Sequence, residues 1–220
     1  MSERIIKELV DSFWKLLLPG IKVTIPLTAI SFTLGLAIAL FVALVQVAKV
    51  PVVRRLVRFY VWIIRGTPMI VQLFVVYFGL PSIGIRLAAF PSAIIVFSLS
   101  VGAYCSETIR AASESIPKGQ LAACYCVGMT FWQAMVRVVI PQAMRAAFPP
   151  LSNSLIGLVK DTSLAYSVAV VEILATAQRI AARTYDYFWL YCEAGFIYLI
   201  FSTALTWLQR RVEKHLARSA

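Results

Sequence analysis

Apolar runs close to the length of a bilayer crossing leave this 220-residue chain few folds to choose from. A hydrocarbon layer about 30 Å thick takes about 20 apolar residues to cross as a helix. Within it every backbone N–H and C=O must find a partner inside the protein, so a crossing segment without a closed barrel is helical. Five such runs fall at about 19–47, 59–78, 90–111, 145–168 and 187–208. The sequence therefore predicts an all-α integral membrane protein with about five transmembrane helices. A composition 60% hydrophobic and 14% charged, with a mean hydropathy of +0.83, agrees.

The formal net charge of +11 invites a nucleic-acid reading. The placement of the charge argues against it, because Lys and Arg gather at the ends of the apolar runs rather than on one soluble face. Arg54, Arg55, Arg58, Lys118, Arg137, Arg210 and Arg211 collect on one side of the predicted membrane. The positive-inside bias puts the 48–58 loop, the long 112–144 loop and the C-terminus in the cytoplasm, and the N-terminus outside. Residues 1–18 lack the compact apolar core of a signal peptide. Ile5, Leu9 and Phe13 with Ile6, Val10 and Trp14 form a stripe among charged residues. That pattern fits an amphipathic interfacial helix, or equally a helix packed on its own protein. The chain then divides into this segment, a transmembrane domain over 19–212 and a cytoplasmic tail over 213–220. Residues 169–186 have helical spacing and are expected along the outer surface.

The 112–144 loop is not simply polar. Leu121, Tyr125, Met129, Phe131 and Trp132 surround Gly128 there, and apolar residues in a long loop ordinarily have somewhere to dock. The cysteines Cys105, Cys124, Cys126 and Cys192 match no metal or redox spacing and read as small buried hydrophobes.

Polar and charged residues inside the spans carry the remaining signal, since they are costly there and are either paired or functional. Glu107 and Arg110, three apart on a helix, are placed to pair. Lys160 and Asp161 are adjacent, so each needs its own partner. Asn153 and Ser154 follow Pro149-Pro150 in the fourth span; they suit solute contact or interhelical hydrogen bonding. Thr67 and Gln72 open the second span, and Gln72 is a candidate to face a cavity.

The ordered motifs RGTPMIVQLFVVYFGLP (65–81), AYCSETIRAASESIPKGQ (103–120), GMTFWQAMVRVVIPQAMR (128–145) and PPLSNSLIGLVKDTSL (149–164) bring in a resemblance. Over nearly its whole length the chain resembles the transmembrane permease subunit of bacterial polar amino-acid ABC importers, with the cystine-type members nearest. The resemblance implies a coupling helix at 117–128 that docks in a groove of an ABC ATPase, with Gly119, Gln120, Ala122, Ala123, Gly128 and Pro141 at the matching positions. One departure stands out: where the family pattern has Glu-Ala-Ala, this chain reads Ala122, Ala123 and Cys124. An exposed ion pair contributes at most about 1 kcal/mol, so docking by shape and apolar contact survives its loss. The KDTSL run resembles a family signature beside the translocation path, which leaves Lys160 and Asp161 between gating and helix-end stabilisation. Permeases for basic amino acids often carry an acid at the position of Ser154, so serine implies a solute without a cationic side chain.

What the resemblance implies is a non-catalytic subunit importing a polar amino acid, with L-cystine first and glutamine, histidine or arginine as alternatives. Its partners would be an ATPase carrying ATP and magnesium, a periplasmic or lipid-anchored solute-binding protein, membrane lipid, and a second permease copy or sister permease. The site of action would be the bacterial inner membrane, with no cofactor on this chain and no nucleic acid. An intramembrane enzyme is disfavoured, since the single histidine, His215, sits in the tail and no HExxH or Ser/His/Asp arrangement is present. A stand-alone channel or exporter would have no use for the apolar cytoplasmic loop.

Overall fold

The computed structural model describes residues 3–48 and 51–218, and every regular element among them is helical. In chain order these are α1 (Glu3–Pro19), α2 (Ile25–Ala48), α3 (Pro51–Gly66), α4 (Met69–Phe74), α5 (Ala89–Glu114), α6 (Lys118–Cys126), α7 (Phe131–Ala134), α8 (Ile140–Asp161), α9 (Ile173–Thr184) and α10 (Tyr187–Arg218). Three apolar helices are long enough to cross a membrane, or up to five if two bent pairs each count as one crossing.

Side-chain register settles how the bent pairs count. Gly35 lies against Val101 and Gly102 against Ile38, while Gln46 reaches Glu107, so α2 and α5 run in parallel. The chain must return between them, and it does so through α3 and α4. Arg54 and Arg58 line a cavity with Ser113 and Glu114, Val61 clusters with Ala103, and Met69 lines a cavity with Ser100. α8 runs against α5, with Ser154 beside Cys105 and Asp161 sharing a cavity with Ser100. α10 runs with α1, because Arg4 pairs with Asp186, Ser12 with Glu193, and Gly20 approaches Phe201. The chain thus alternates direction in the order first helix, α3 with α4, α5, α8, α10, and its ends lie at opposite ends of the bundle.

Two expected boundaries differ from the structure. The amphipathic segment is not set apart at residue 18, because Glu3–Gln46 forms one apolar helix. Only part of its stripe packs on the chain: Phe13 lies against a cluster in which Leu16 is buried with Ile173, Ala177, Ala194 and Ile197 of α9 and α10, whereas Ile6, Val10 and Trp14 are exposed. The second span is not one straight helix over 59–78. α3 and the segment Met69–Ile83 meet at 106°, broken at Pro68, whose ψ of 136° is extended. α9, expected along a surface, buries Ile173, Ala175, Ala177 and Ala181 against its neighbours and bends 52° from the helix before it.

Three π-helical turns have a common cause. Gly20–Thr24, Val75–Gly79 and Met135–Val139 each end two residues before a proline, namely Pro26, Pro81 and Pro141. A proline gives no N–H to the carbonyl four residues back and its ring collides with it. Widening the preceding turn moves the collision aside while the chain remains helical. As a result, the predicted loop before Arg145 is largely helix. Phe131–Val168 forms one run, opened by a capping box in which Thr130 and Gln133 bond reciprocally.

Close packing at small residues joins α2 and α5. A Cβ on Gly35 would fall 2.5 Å from that of Val101, and one on Gly102 would fall 2.6 Å from Ile38 Cγ2. Small residues at such seams let helix backbones approach within a membrane. Tyr60 locks α3 onto the seam by donating to the Leu99 carbonyl at 2.6 Å.

Candidate functional site

A cavity of about 260 Å³ lies between α4, α5 and α8. Met69, Ser100, Val101, Tyr104, Ser154, Gly157, Leu158 and Asp161 line it. The α8 contributors recur at helical spacing, so one turn after another of this helix presents a small or polar group to the same space. Ser154 back-bonds to the Pro150 carbonyl at 3.0 Å, which leaves its lone pairs for other partners. Asp161 supplies the only carboxylate among the lining residues. The cavity therefore offers a carboxylate, the Ser100 and Ser154 hydroxyls and the Tyr104 phenol to a solute.

Asn153 and Lys160, seven apart, share the neighbouring face of α8, and both are exposed. Asn153 makes no hydrogen bond with any described residue. A polar stripe of this kind on a membrane-crossing helix faces either water or another chain rather than hydrocarbon. The adjacent pair Lys160 and Asp161 diverges, with only Asp161 in the cavity.

Thr67 and Gln72 sit elsewhere. Gln72 Nε2 donates to the Ile64 carbonyl at 2.9 Å, the Thr67 carbonyl at 3.2 Å and Thr67 Oγ1 at 2.9 Å. Thr67 Oγ1 in turn bonds the Ile63 carbonyl. These groups satisfy the carbonyls freed by the break before Pro68, and neither residue lines the cavity. In the structure both residues hold the bend between α3 and α4.

Glu107 and Arg110 are joined at 2.9 Å, and Arg110 also reaches Glu114 at 2.7 Å. Arg65 adds a contact to Glu107 at 3.9 Å and lies over the Tyr104 ring at 5.2 Å. The charged cluster thus abuts a cavity-lining residue on one side and the approach to α6 on the other.

At that end α6 and α7 form a short hairpin. Gly128 has φ +79°, and its N–H bonds the Tyr125 carbonyl while that of Met129 bonds Cys124. This is a Schellman ending, in which a left-handed residue closes the helix. Cys124 is buried, whereas Gly119, Gln120, Ala122, Ala123 and Gly128 are exposed. Tyr125, Val127, Phe131 and Trp132 are also exposed, Val127 and Trp132 at 73% each. Pro141 lies outside the hairpin, in the first turn of α8.

Residues that the sequence reading passed over complete the picture. Tyr104, Ser100 and Met69 join the cavity only because α4 and α5 meet there. Glu172 is fully buried, caps α9 by accepting from Leu174 and Ala175 N–H groups, and takes the Tyr198 hydroxyl from α10. Its position just before an apolar helical run was the available signal. Among the cysteines, Cys105 and Cys124 are buried, but Cys126 and Cys192 are exposed. No group of metal-ligating side chains forms among the described residues.

Residues 35–218 match the sequence profile of the family described as binding-protein-dependent transport system inner membrane component. The L-cystine transport system permease protein TcyB of Bacillus subtilis (strain 168) is 48% identical over 209 residues, 94% of this chain and 89% of the relative. A putative glutamine transport system permease protein of Rickettsia bellii (strain RML369-C) is 34% identical, over 90% of this chain and 91% of its own. The fold superposes on the crystal structure of an amino acid ABC transporter with histidines, with a TM-score of 0.90 and 29% identity, covering 98% of this chain and 100% of the other.

Proposed function

The chain belongs to the family of binding-protein-dependent transport system inner membrane components, and from that membership we propose that the solute it moves is L-cystine. Its general role follows from the family: it is the permease subunit of an amino-acid ABC importer, a membrane component without catalytic activity of its own. Such subunits work with a binding protein and an ATPase.

The lining of the α4–α5–α8 cavity supports a solute without a cationic side chain, cystine among them. One carboxylate, Asp161, and three hydroxyl groups suit the ammonium and polar edges of an amino acid. Ser154 stands where an acid would hold a cationic side chain, so the cavity has no second anion for arginine. The 48% identity to a cystine permease favours the same choice. Asn153 and Lys160 would complete the path from the exposed face of α8, opposite a second permease chain. The α6–α7 hairpin would be the docking face for the ATPase, which carries the ATP and magnesium. The N-terminus would lie outside and the C-terminus in the cytoplasm of the bacterial inner membrane.

The decisive experiment is solute-stimulated ATP hydrolysis in proteoliposomes holding this chain, its ATPase and its binding protein. Cystine is expected to stimulate, with glutamine, histidine and arginine inactive. Stimulation by arginine or histidine instead overturns the meaning given to Ser154. An assembly that no amino acid stimulates removes the solute assignment altogether.

A further inference from the structure

A larger cavity, about 540 Å³, opens where α2 ends, α3 begins and α5 ends. Two carboxylates and three arginines line it, and their charges do not balance. Glu107 and Glu114 are both held by Arg110, at 2.9 and 2.7 Å, and Glu107 also meets Gln46 at 3.4 Å and Arg65 at 3.9 Å. Arg54 and Arg58 have no carboxylate partner among the described residues. The Nε–H of Arg54 is buried and makes no hydrogen bond with any described residue. A buried donor without an acceptor is costly, and the nearby carboxylates are already engaged.

The shape of α3 says what kind of acceptor fits. Helical spacing puts Arg54, Arg58 and Arg65 along one edge, beside the buried Val57 and Val61. Next to that edge the helix exposes Trp62 and Phe59, at 70 and 57%, and farther round Leu56 and Val52, at 65 and 69%. Phe59 and Trp62 stack with ring centroids 5.9 Å apart. In a membrane protein, an aliphatic and aromatic face bordered by guanidinium groups marks the level where hydrocarbon meets headgroups. The cavity lies at the polar ends of two apolar helices, as that level requires.

We propose that this cavity binds the phosphodiester headgroup of an anionic phospholipid, with Arg54 and Arg58 as its cations and the acyl chains along Leu56, Phe59 and Trp62. Guanidinium groups match phosphate oxygens with paired donors. The adjoining apolar face selects lipid over a free anion. The inference rests on the chain being a membrane permease and not on which amino acid it carries, so the solute assay and the lipid assay fail independently.

The test is native mass spectrometry of the full-length chain copurified with its ATPase. Phosphatidylglycerol and phosphatidylcholine are titrated in turn in mixed micelles, each with and without inorganic phosphate. Phosphatidylglycerol is expected to be retained about thirtyfold more strongly, as two uncompensated cations at the membrane surface provide. Arg54→Gln combined with Arg58→Gln removes the preference, the paired Lys replacements keep most of it, and Arg86→Gln, at the other end of the bundle, leaves it unchanged. Equal retention of the two lipids by the wild type overturns the proposal, as does an unchanged preference in the Gln pair. Displacement of the lipid by millimolar phosphate also overturns it, since that identifies a site for free anions. Should the Gln pair fail to fold, the wild-type comparison and the phosphate competition decide.

Discussion

Gly128 sits at φ +79° with open space where a Cβ would stand. Asp there costs this chain about 1–2 kcal/mol of left-handed strain and meets no neighbouring atom. Loss of transport in Gly128→Asp would therefore arise from outside the chain. We expect the variant to insert at normal levels and to show no solute-stimulated ATP hydrolysis in proteoliposomes; uptake near wild type would place ATPase docking elsewhere. Asn153 has a different character, since its amide is exposed and bonded to no described residue. Asn153→Ala should leave ATPase copurification intact and lower solute stimulation about tenfold, the loss of one hydrogen bond to solute. An equal fall in basal and stimulated rates would mark Asn153 as an interhelical contact instead.

The elements show what a sequence window can and cannot see. Hydropathy located the crossings because burial in lipid demands long apolar runs, and the capping and turn chemistry around Gly128 is local. The break at Pro68 was also written locally, because Thr67 precedes a proline and is pushed out of the helical region. A window averaging over 59–78 runs straight across it. Gln72, a polar residue in an apolar helix, has several possible partners, and its bonds to Ile64 and Thr67 depend on that bend. Cavity members such as Tyr104 and Ser100 were illegible for a related reason, since only the crossing of α4, α5 and α8 makes them neighbours. The α2–α5 seam gives the matching prediction. Gly102→Val forces a Cβ to 2.6 Å from Ile38 Cγ2 and 2.7 Å from Tyr60 Oη, and overpacking of this kind costs about 1–3 kcal/mol. Thermal unfolding of the purified chain in detergent should move down by several degrees. Gly195→Val, where a Cβ has open space, should barely move it; equal shifts would show that the seam tolerates expansion.

At the scale of the molecule, the order of contacts fixes more than the number of apolar helices does. Counting long helices alone gives three, and admitting bent pairs gives up to five. Parallel register of α2 with α5 requires a return through α3 and α4, and α8 running against α5 requires another before α10. The count that satisfies both is odd, so the N- and C-termini lie on opposite sides. Charge supplies the expectation of which side is which: α10 ends in Arg210, Arg211 and Lys214, a basic run that the positive-inside bias assigns to the cytoplasm. A fluorescent protein fused after residue 220 should therefore fold and fluoresce in intact cells, whereas alkaline phosphatase at the same point should be inactive. The phosphatase placed before residue 1 should be active. Fluorescence with both fusions would put both ends in the cytoplasm and require an even number of crossings. That outcome would contradict the packing register itself, because parallel α2 and α5 require α3 with α4 to return the chain once, and α10 running with α1 requires α8 to return it again.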